Sequence, residues 1–408
     1  GNNGIKRNLI RAMVGGSKVV YGDDDHDRGE FHVLLIGDPG TAKSKLIQRV
    51  EELGWRTVGV SGKGATVAGV TASAVQDDFG DGEATLKAGA FVKAHKGAVC
   101  IDELDDMPAD VRAAMLDPMS KQKIHVNKWG INATMRTEAA VVAAANPKHG
   151  RFDQYEPIGD QFDLESNLLS RFDLIFTLSD TPDPDEDERI SEHILRARDA
   201  AKRQMTGREL SEDGAETIAT PVDRDILRKW IALAKRQPEP VFESAEVFEW
   251  LQESFNTLRG MHGYNEDSPV PVTFRKLEGI IRIAEADAKL EFSETIEMRH
   301  AKRAVNAIGD SMQDYAKNED GDLDADVQET GTSKTQKERF KAVANVIQEL
   351  HSEYDGGVPR EEVIERYRAE IDENAGESVL RDTMDKMCFD EGTAIEPADG
   401  HIRYIGRA

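Results

Sequence analysis

Eight consecutive residues, Gly37-Asp38-Pro39-Gly40-Thr41-Ala42-Lys43-Ser44, combine small side chains with one ammonium and one hydroxyl. They lie between an apolar run, Phe31–Ile36, and a helical one, Lys45-Leu46-Ile47-Gln48-Arg49-Val50. A small-residue loop between a strand and a helix turns consecutive backbone N–H groups towards an anion at the positive end of the helix. In that setting Lys43 reaches the β and γ phosphates of a nucleoside triphosphate and the Ser44 hydroxyl holds Mg²⁺. The position before such a lysine is usually glycine; here it is Ala42, one methyl larger. A turn with a surface lysine is the competing reading, and the flanking strand and helix weigh against it.

A second constellation follows at Ala98-Val99-Cys100-Ile101-Asp102-Glu103, a buried strand ending in two acids. Asp102 would orient Mg²⁺ through its water shell, and Glu103 would polarise a water for in-line attack on the γ-phosphate. Taken alone, the pattern reads better as a strand meeting a solvated turn; its pairing with the upstream loop in a parallel sheet favours catalysis. The small-residue strand Val141-Val142-Ala143-Ala144-Ala145 delivers an amide, Asn146, suited to holding the attacking water. In Leu168-Leu169-Ser170-Arg171-Phe172-Asp173 an arginine stands just before the last strand. A lone Asn or Arg there would be a cap or a surface ion pair. In a ring of subunits, Arg171 would enter the neighbour's site and neutralise transition-state charge.

These residues need a frame. Strands are predicted at Phe31–Ile36, Thr57–Val60, Ala98–Ile101, Ala140–Ala145 and Asp173–Leu178, with helical stretches between them. Crossover connections of that kind give a mostly parallel sheet, so residues 1–180 read as an α/β core. Over 181–317 the pattern is all-α: amphipathic helices are predicted at Asp183–Met205, Asp223–Arg236, Ala245–Arg259, Thr273–Leu290 and Thr295–Lys317. The first of these carries acids in its opening turn and bases towards its end, as the helix dipole favours. Residues 318–334, acidic and nearly without apolar side chains, read as a linker. Over 335–408, helices at Thr335–Glu353, Arg360–Ile371 and Glu377–Met387 precede a hairpin over Thr393–Ile405 that turns at Ala398-Asp399-Gly400, the order of a winged helix. That tail has 10 Lys and Arg against 17 Asp and Glu, which fits a partner-docking or regulatory module at least as well as a DNA clamp.

The chain has 408 residues, 39% of them hydrophobic, and a formal net charge of −25. The length suits two or three domains. Two cysteines, Cys100 and Cys388, exclude a disulfide scaffold and a cysteine zinc cluster. No apolar run nears the ~18 residues that span a bilayer and no signal peptide opens the chain, so a cytoplasmic protein with no membrane partner is expected. The total charge argues against nucleic acid, although binding depends on local patches rather than totals. The excess of carboxylates suits a cytosol salty enough to screen self-repulsion within a few Å.

In this order and spacing the motifs resemble those of AAA+ ATPases, and more narrowly of the MCM replicative DNA helicases. That family's phosphate loop reads Gly-Asp-Pro-x-x-x-Lys-Ser, which accommodates Ala42. Its Ile-Asp-Glu-(Phe)-Asp-(Lys)-Met is similar to Ile101-Asp102-Glu103-Leu104-Asp105-Asp106-Met107; residues 143–147 match its Ala-Ala-Ala-Asn-Pro and 169–173 its Leu-Ser-Arg-Phe-Asp. Residues 62–71 look like the approach to the family's helix-2 insert. Lys128-Trp129-Gly130-Ile131 resembles the pre-sensor hairpin, which implies that Lys128 touches single-stranded DNA in the channel. Thr273-Phe274-Arg275-Lys276-Leu277-Glu278 matches the lid helix, which implies Arg275 as the sensor-2 arginine. The resemblance runs from about Gly4 to Ile308. It implies an AAA+ P-loop parallel-sheet core with an all-α lid, and ATP and Mg²⁺ as ligands. Single-stranded DNA in the channel and duplex at the fork are the implied partners, with a homo-oligomer, a hexamer, as the assembly and a place on the nucleoid. With the acidic surplus it points to an archaeal, salt-loving type. Relatives carry an oligonucleotide-binding half with a zinc ribbon ahead of the motor, so this sequence corresponds to the C-terminal motor half.

Some positions depart from the family. Asp106 replaces a lysine, and Ser120-Lys121-Gln122 stands where Glu-Gln-Gln is usual, which removes that glutamate from any catalytic role. Trp129 replaces a small residue and either offers a base a stacking surface or pins the hairpin to its neighbours. The loop between Gln76 and Lys87, with Asp77, Asp78, Asp81 and Glu83, would not hold phosphate by charge. The rival functions are another AAA+ remodelling ATPase, chelatase-like or MoxR-like, and a ring subunit that binds ATP only to assemble.

Overall fold

The computed structural model describes residues 2–22, 25–76, 84–128, 130–153, 161–182, 184–220, 222–261 and 273–312; in the tail it describes 342–348, 350, 354, 357–370, 380–381, 383–384, 394–395 and 401–404. Trp129, the acids Asp77, Asp78, Asp81 and Glu83, the linker 318–334 and the turn expected at 398–400 lie outside these residues. The chain divides into two compact units, Gly1–Asp320 and Gly321–Ala408.

The first unit opens with α1 (Asn3–Val14) and a small hairpin, β1 (Val19–Tyr21) with β2 (Asp25–Asp27). Next come β3 (Val33–Gly37), α2 (Lys43–Leu53), β4 (Thr57–Ser61), α3 (Val67–Val70), the antiparallel pair β5 (Ala72–Gln76) and β6 (Ala84–Ala88), α4 (Ala90–Lys93) and β7 (Ala98–Asp102). Then follow α5 (Ala109–Lys121), the hairpin β8 (Lys123–Lys128) with β9 (Ile131–Arg136), β10 (Ala140–Ala145), α6 (Ser166–Leu169) and β11 (Leu174–Leu178).

Five of these strands form one sheet in the order β11-β3-β10-β7-β4, every neighbouring pair parallel. Its three middle strands read Val-Leu-Leu-Ile-Gly, Ala-Val-Val-Ala-Ala-Ala and Ala-Val-Cys-Ile-Asp, and every residue but the final aspartate is buried. Continuous burial without alternation is what a sheet covered on both faces requires. The sequence places each strand to within two residues at either end.

The helices beyond the sheet are α7 (Pro184–Met205), α8 (Glu212–Ile218), α9 (Arg224–Ala234), α10 (Ala245–Met261), α11 (Phe274–Leu290) and α12 (Met298–Met312), with a two-residue parallel pairing of β12 (Val241–Phe242) and β13 (Thr295–Ile296). The last expected helix therefore begins three residues late: β-branched Thr295-Ile296 pair as a strand, and α12 starts only after Glu297. Helix α8 was not read from the sequence, although Ser211 caps it by accepting from the Gly214 N–H at 3.1 Å.

Helix α11 is buried along most of its length, charged residues included, because each charge meets a partner. Asp287 pairs with Arg11 at 2.8 Å, Glu285 accepts the Ser17 N–H at 2.7 Å, and Lys289 reaches the Gly16 carbonyl and Glu239. These bonds sew the start of the chain onto the lid.

In the second unit, α13 (Arg360–Glu370) follows β14 (Val358–Pro359), which joins β15 (Ala394–Ile395) and β16 (His401–Tyr404) in an antiparallel sheet ordered β14-β16-β15. Val343, Ile347, Leu350, Tyr367 and Ile402 belong to its own apolar core. Residues 342–348 are helical.

Candidate active site

Because the sheet is parallel, the C-terminal ends of β3, β7 and β10 emerge on one edge, and the candidate residues follow those ends. Pro39, Gly40, Ala42, Lys43 and Ser44 line one wall of a cavity of about 470 Å³; Asp102, Glu103 and Asn146 line the other. Crevices at this edge of open α/β sheets are where ligands bind.

The other three loop residues, Gly37, Asp38 and Thr41, do not line the cavity. Asp38 is buried and its carboxylate accepts N–H groups from Phe152 and Asp180, both at 2.8 Å, so it braces the loop against two neighbouring segments. Thr41 donates its hydroxyl to the Asp38 carbonyl at 2.7 Å, which closes the turn. Gly40 has φ 91° and Ala42 φ 67°. The left-handed conformation costs an alanine roughly 1–2 kcal/mol, so the loop's shape is imposed on Ala42 rather than chosen by it.

Lys43 donates to the carbonyls of Gly37 at 2.6 Å and Asp38 at 2.8 Å. Burial lowers its pKa, while Asp38, Asp102 and Asp105 act the other way. Across the cavity, Glu103 is exposed, with φ 56°, and receives a 3.3 Å hydrogen bond from the Ser61 hydroxyl. Gly62 makes this approach of β4 to β7 possible: its N–H donates to the Asp102 carbonyl at 2.7 Å, and a Cβ there would fall 1.8 Å from the Glu103 carbonyl oxygen.

Asn146 is held from both ends by Asp105, which accepts its backbone N–H at 3.0 Å and its side-chain amide at 3.1 Å. Asp105 was not among the site residues expected from the sequence; the signal for it was the third acid of the Asp-Glu-x-Asp run. The oxygen donors Ser44 and Asp102 on one cavity fit Mg²⁺, which takes one or two protein ligands and fills its shell with water and phosphate oxygens.

Arg171 and Arg275 are elsewhere. Neither lines the cavity. Arg171 precedes β11, whose first residue Leu174 pairs with Val33, whereas the phosphate loop leaves β3 beyond Gly37, paired with Leu178. At about 3.3 Å per residue, the length of a strand separates the two. Arg171 donates to the Ser120 hydroxyl, and Arg275 to the Ser170 hydroxyl at 3.3 Å. Burial lowers the Arg171 pKa and Arg275 lowers it further, against Asp117, so two cations share this edge.

The turn carrying Arg171 is fastened from below. Buried Asp173 pairs with Arg282 at 2.8 Å and Arg28 at 2.9 Å, and accepts the His32 N–H at 2.8 Å. Burial alone would raise the Asp173 pKa; Arg28 and Arg282 bring it below the usual carboxylate value. Lys276, also buried, donates to the Asp173 carbonyl at 2.8 Å, and burial takes its pKa down to about 8. Arg28 donates to the Arg171 carbonyl itself at 3.3 Å.

Lys128 is exposed at the end of β8, paired with Ile131 of β9, and Gly130 between them has φ 76°. This hairpin touches the β5–β6 pair through contacts between β5 and β8.

Sheet, loop and acidic strand end define an AAA+ P-loop fold. Residues 1–198 match the MCM P-loop domain and residues 225–312 the MCM AAA-lid domain. The chain is 35% identical to the minichromosome maintenance protein MCM of Saccharolobus solfataricus, over 85% of its own length and 48% of that protein's. It is 33% identical to an uncharacterized MCM-type protein of Methanocaldococcus jannaschii, over 99% and 56% respectively. It is 34% identical to the DNA replication licensing factor MCM3 of Gallus gallus, over 76% and 42%. The chain belongs to the MCM family and spans about half the length of the curated relatives it matches.

Proposed function

We propose that the chain is the motor of an ATP-dependent DNA helicase that works as a ring, a hexamer, in DNA replication. The observation that supports this reading is that Lys43, Ser44, Asp102, Glu103 and Asn146 gather at one edge of the sheet, while Arg171 and Arg275 lie together at the opposite one. No single copy can bring them together, whereas a neighbour's arginine edge can face the first copy's cavity.

In this reading the loop N–H groups and Lys43 bind the β and γ phosphates. Glu103 takes the proton of the attacking water, which Asn146, held by Asp105, aligns with the γ-phosphate. Arg171 and Arg275 of a neighbouring copy neutralise charge on the transferring phosphoryl group. Ser44 and Asp102 would hold Mg²⁺, which shields the phosphate oxygens. Loss of the γ-phosphate weakens the joint between copies, and hairpins bearing Lys128 shift with it, drawing a strand through the channel. One or two cations per subunit, repeated around a ring, grip DNA that the acidic exterior repels. The DNA replication named for the Gallus gallus relative accords with this assignment.

The second unit serves as a winged helix that docks a partner or regulates the motor. The acidic excess suits an archaeal, salt-rich cytoplasm, and ATPase activity measured against KCl should hold or rise as salt is added. The decisive experiment mixes Arg171→Ala with Glu103→Gln chains. Each alone should bind ATP and fail to hydrolyse it, and the mixture should recover part of the activity at hybrid interfaces. No recovery would count against a shared site. DNA-stimulated turnover separates a helicase motor from an AAA+ protein remodeller, which DNA should leave unchanged.

A further inference from the structure

A second cavity, of about 900 Å³, opens in the same unit on the opposite edge of the sheet, by the starts of β4 at Thr57 and β7 at Ala98. It shares no lining residue with the phosphate-loop cavity. Seven of its lining residues are Lys or Arg and two are Glu, in a chain where acids outnumber bases by 77 to 52. Such a reversal of sign inside a concave surface runs against the composition.

Internal pairing leaves much of that charge uncompensated. Lys18 and Lys96 share Glu138, and Lys289 pairs with Glu239 at 2.6 Å. The other four cations, Arg56, Lys229, Lys235 and Arg236, have no carboxylate partner among the described residues. Among the described residues Lys235 donates to the Met13 carbonyl, at 3.2 Å, and Arg56 to the His95 carbonyl, at 3.4 Å. Burial lowers the Lys235 pKa; Glu30 opposes this, while Lys96 and Lys289 repel the ammonium further. Like charges gathered in a cleft favour an anion carrying several charges within a few Å, and the volume lies in the range of small-ligand sites. Lys229 and Arg236 stand exposed at the mouth, and exposed Trp55 adds a planar wall.

We propose that this cavity is a second anion site, which takes a compact phosphate polyanion: a di- or triphosphate group, free or carried by a nucleoside. Its walls come from the end of α1, from α9 and Lys289 of the lid, and from the loops before β4 and β7. An occupant therefore ties lid to core at a point remote from the phosphate loop. The inference does not depend on the helicase reading, because Lys43 and Arg171 take no part in it.

The test uses the whole chain carrying Lys43→Ala, which weakens the first site, titrated calorimetrically with inorganic tripolyphosphate and with ATP at low salt. One binding event per chain should persist, raise the melting temperature, and weaken at least about tenfold when Lys229→Ala and Arg236→Ala are added, as loss of two phosphate-contacting cations requires. Both side chains are exposed, so circular dichroism of the triple variant should match that of the parent. Tripolyphosphate in parallel with ATP identifies the phosphate group as the ligand; ATP alone makes the nucleoside part of the recognition, and either result supports the site. Abolition of binding by Lys43→Ala alone, or affinity indifferent to Lys229 and Arg236, overturns it. So does a result in which an oligothymidylate binds through these two residues and tripolyphosphate does not, because the surface is then a track for a nucleic-acid backbone.

Discussion

The two edges of the sheet are built on different principles. At the phosphate-loop edge the parts are backbone, small residues and side chains that hold one another lightly. Ala42 and Glu103 sit in left-handed conformations, Glu103 is exposed, and Lys43 is satisfied by its own loop. At the arginine edge the parts are ions held within the fold: buried Asp173 between half-buried Arg28 and buried Arg282, with buried Lys276 on the adjoining carbonyls. An edge that receives a ligand must have groups free to turn to it. If the arginine edge reaches into another copy, as proposed, it must hold its arginines at a fixed angle, since misplacement of charge by about 1 Å costs rate steeply.

Four experiments sharpen or break this contrast. The largest effect is expected from Arg171→Ala, with ATP binding kept and steady-state turnover down by roughly 10³-fold or more, as for arginine fingers. A tenfold loss or less would make the residue structural. Asp173→Asn leaves the buried Arg282 and the half-buried Arg28 short of a charge and should cost about 3–5 kcal/mol in denaturant unfolding. The carboxylate's lowered pKa gives stability that is present above the unfolded value of 3.8 and is lost as pH falls through the folded one.

Glu285 should act in the opposite sense. Burial raises its pKa from 4.5 to about 7 against the pull of the Ser17 N–H, so the folded chain holds a proton that the unfolded chain has released. Stability should fall as pH rises from 4.5 to 7, and Glu285→Gln should remove about 1–3 kcal/mol of that slope. A slope the substitution leaves intact assigns it to other groups. Ala42→Gly comes last: relief of its left-handed backbone should stabilise the chain by about 1 kcal/mol in chemical unfolding. A loss instead would mean that the methyl packs usefully.

What was legible in the sequence was what depends on neighbours along the chain. The five sheet strands declare themselves as unbroken apolar runs, and the phosphate loop as small residues between one such run and a helix. The pairing of Thr295-Ile296 with Val241-Phe242 was not visible, because two residues carry no period. Nor was the use of Asp38 as a brace for Phe152 and Asp180, or of Asp105 as the holder of Asn146, since those bonds span 114, 142 and 41 positions. Ser120 was noted only for the glutamate it replaces, yet its hydroxyl receives the Arg171 guanidinium. A local pattern names one partner of such a bond; only the fold supplies the other.

Lys43, bonded to Gly37 and Asp38, bears on how a cycle would finish. With these two carbonyls at hand, an ammonium released by a departing nucleotide would have partners in its own loop, and no stranded cation would be left in the cleft. On the proposed cycle, vacating the cleft would carry little electrostatic penalty, and the chain would not be trapped by its own product.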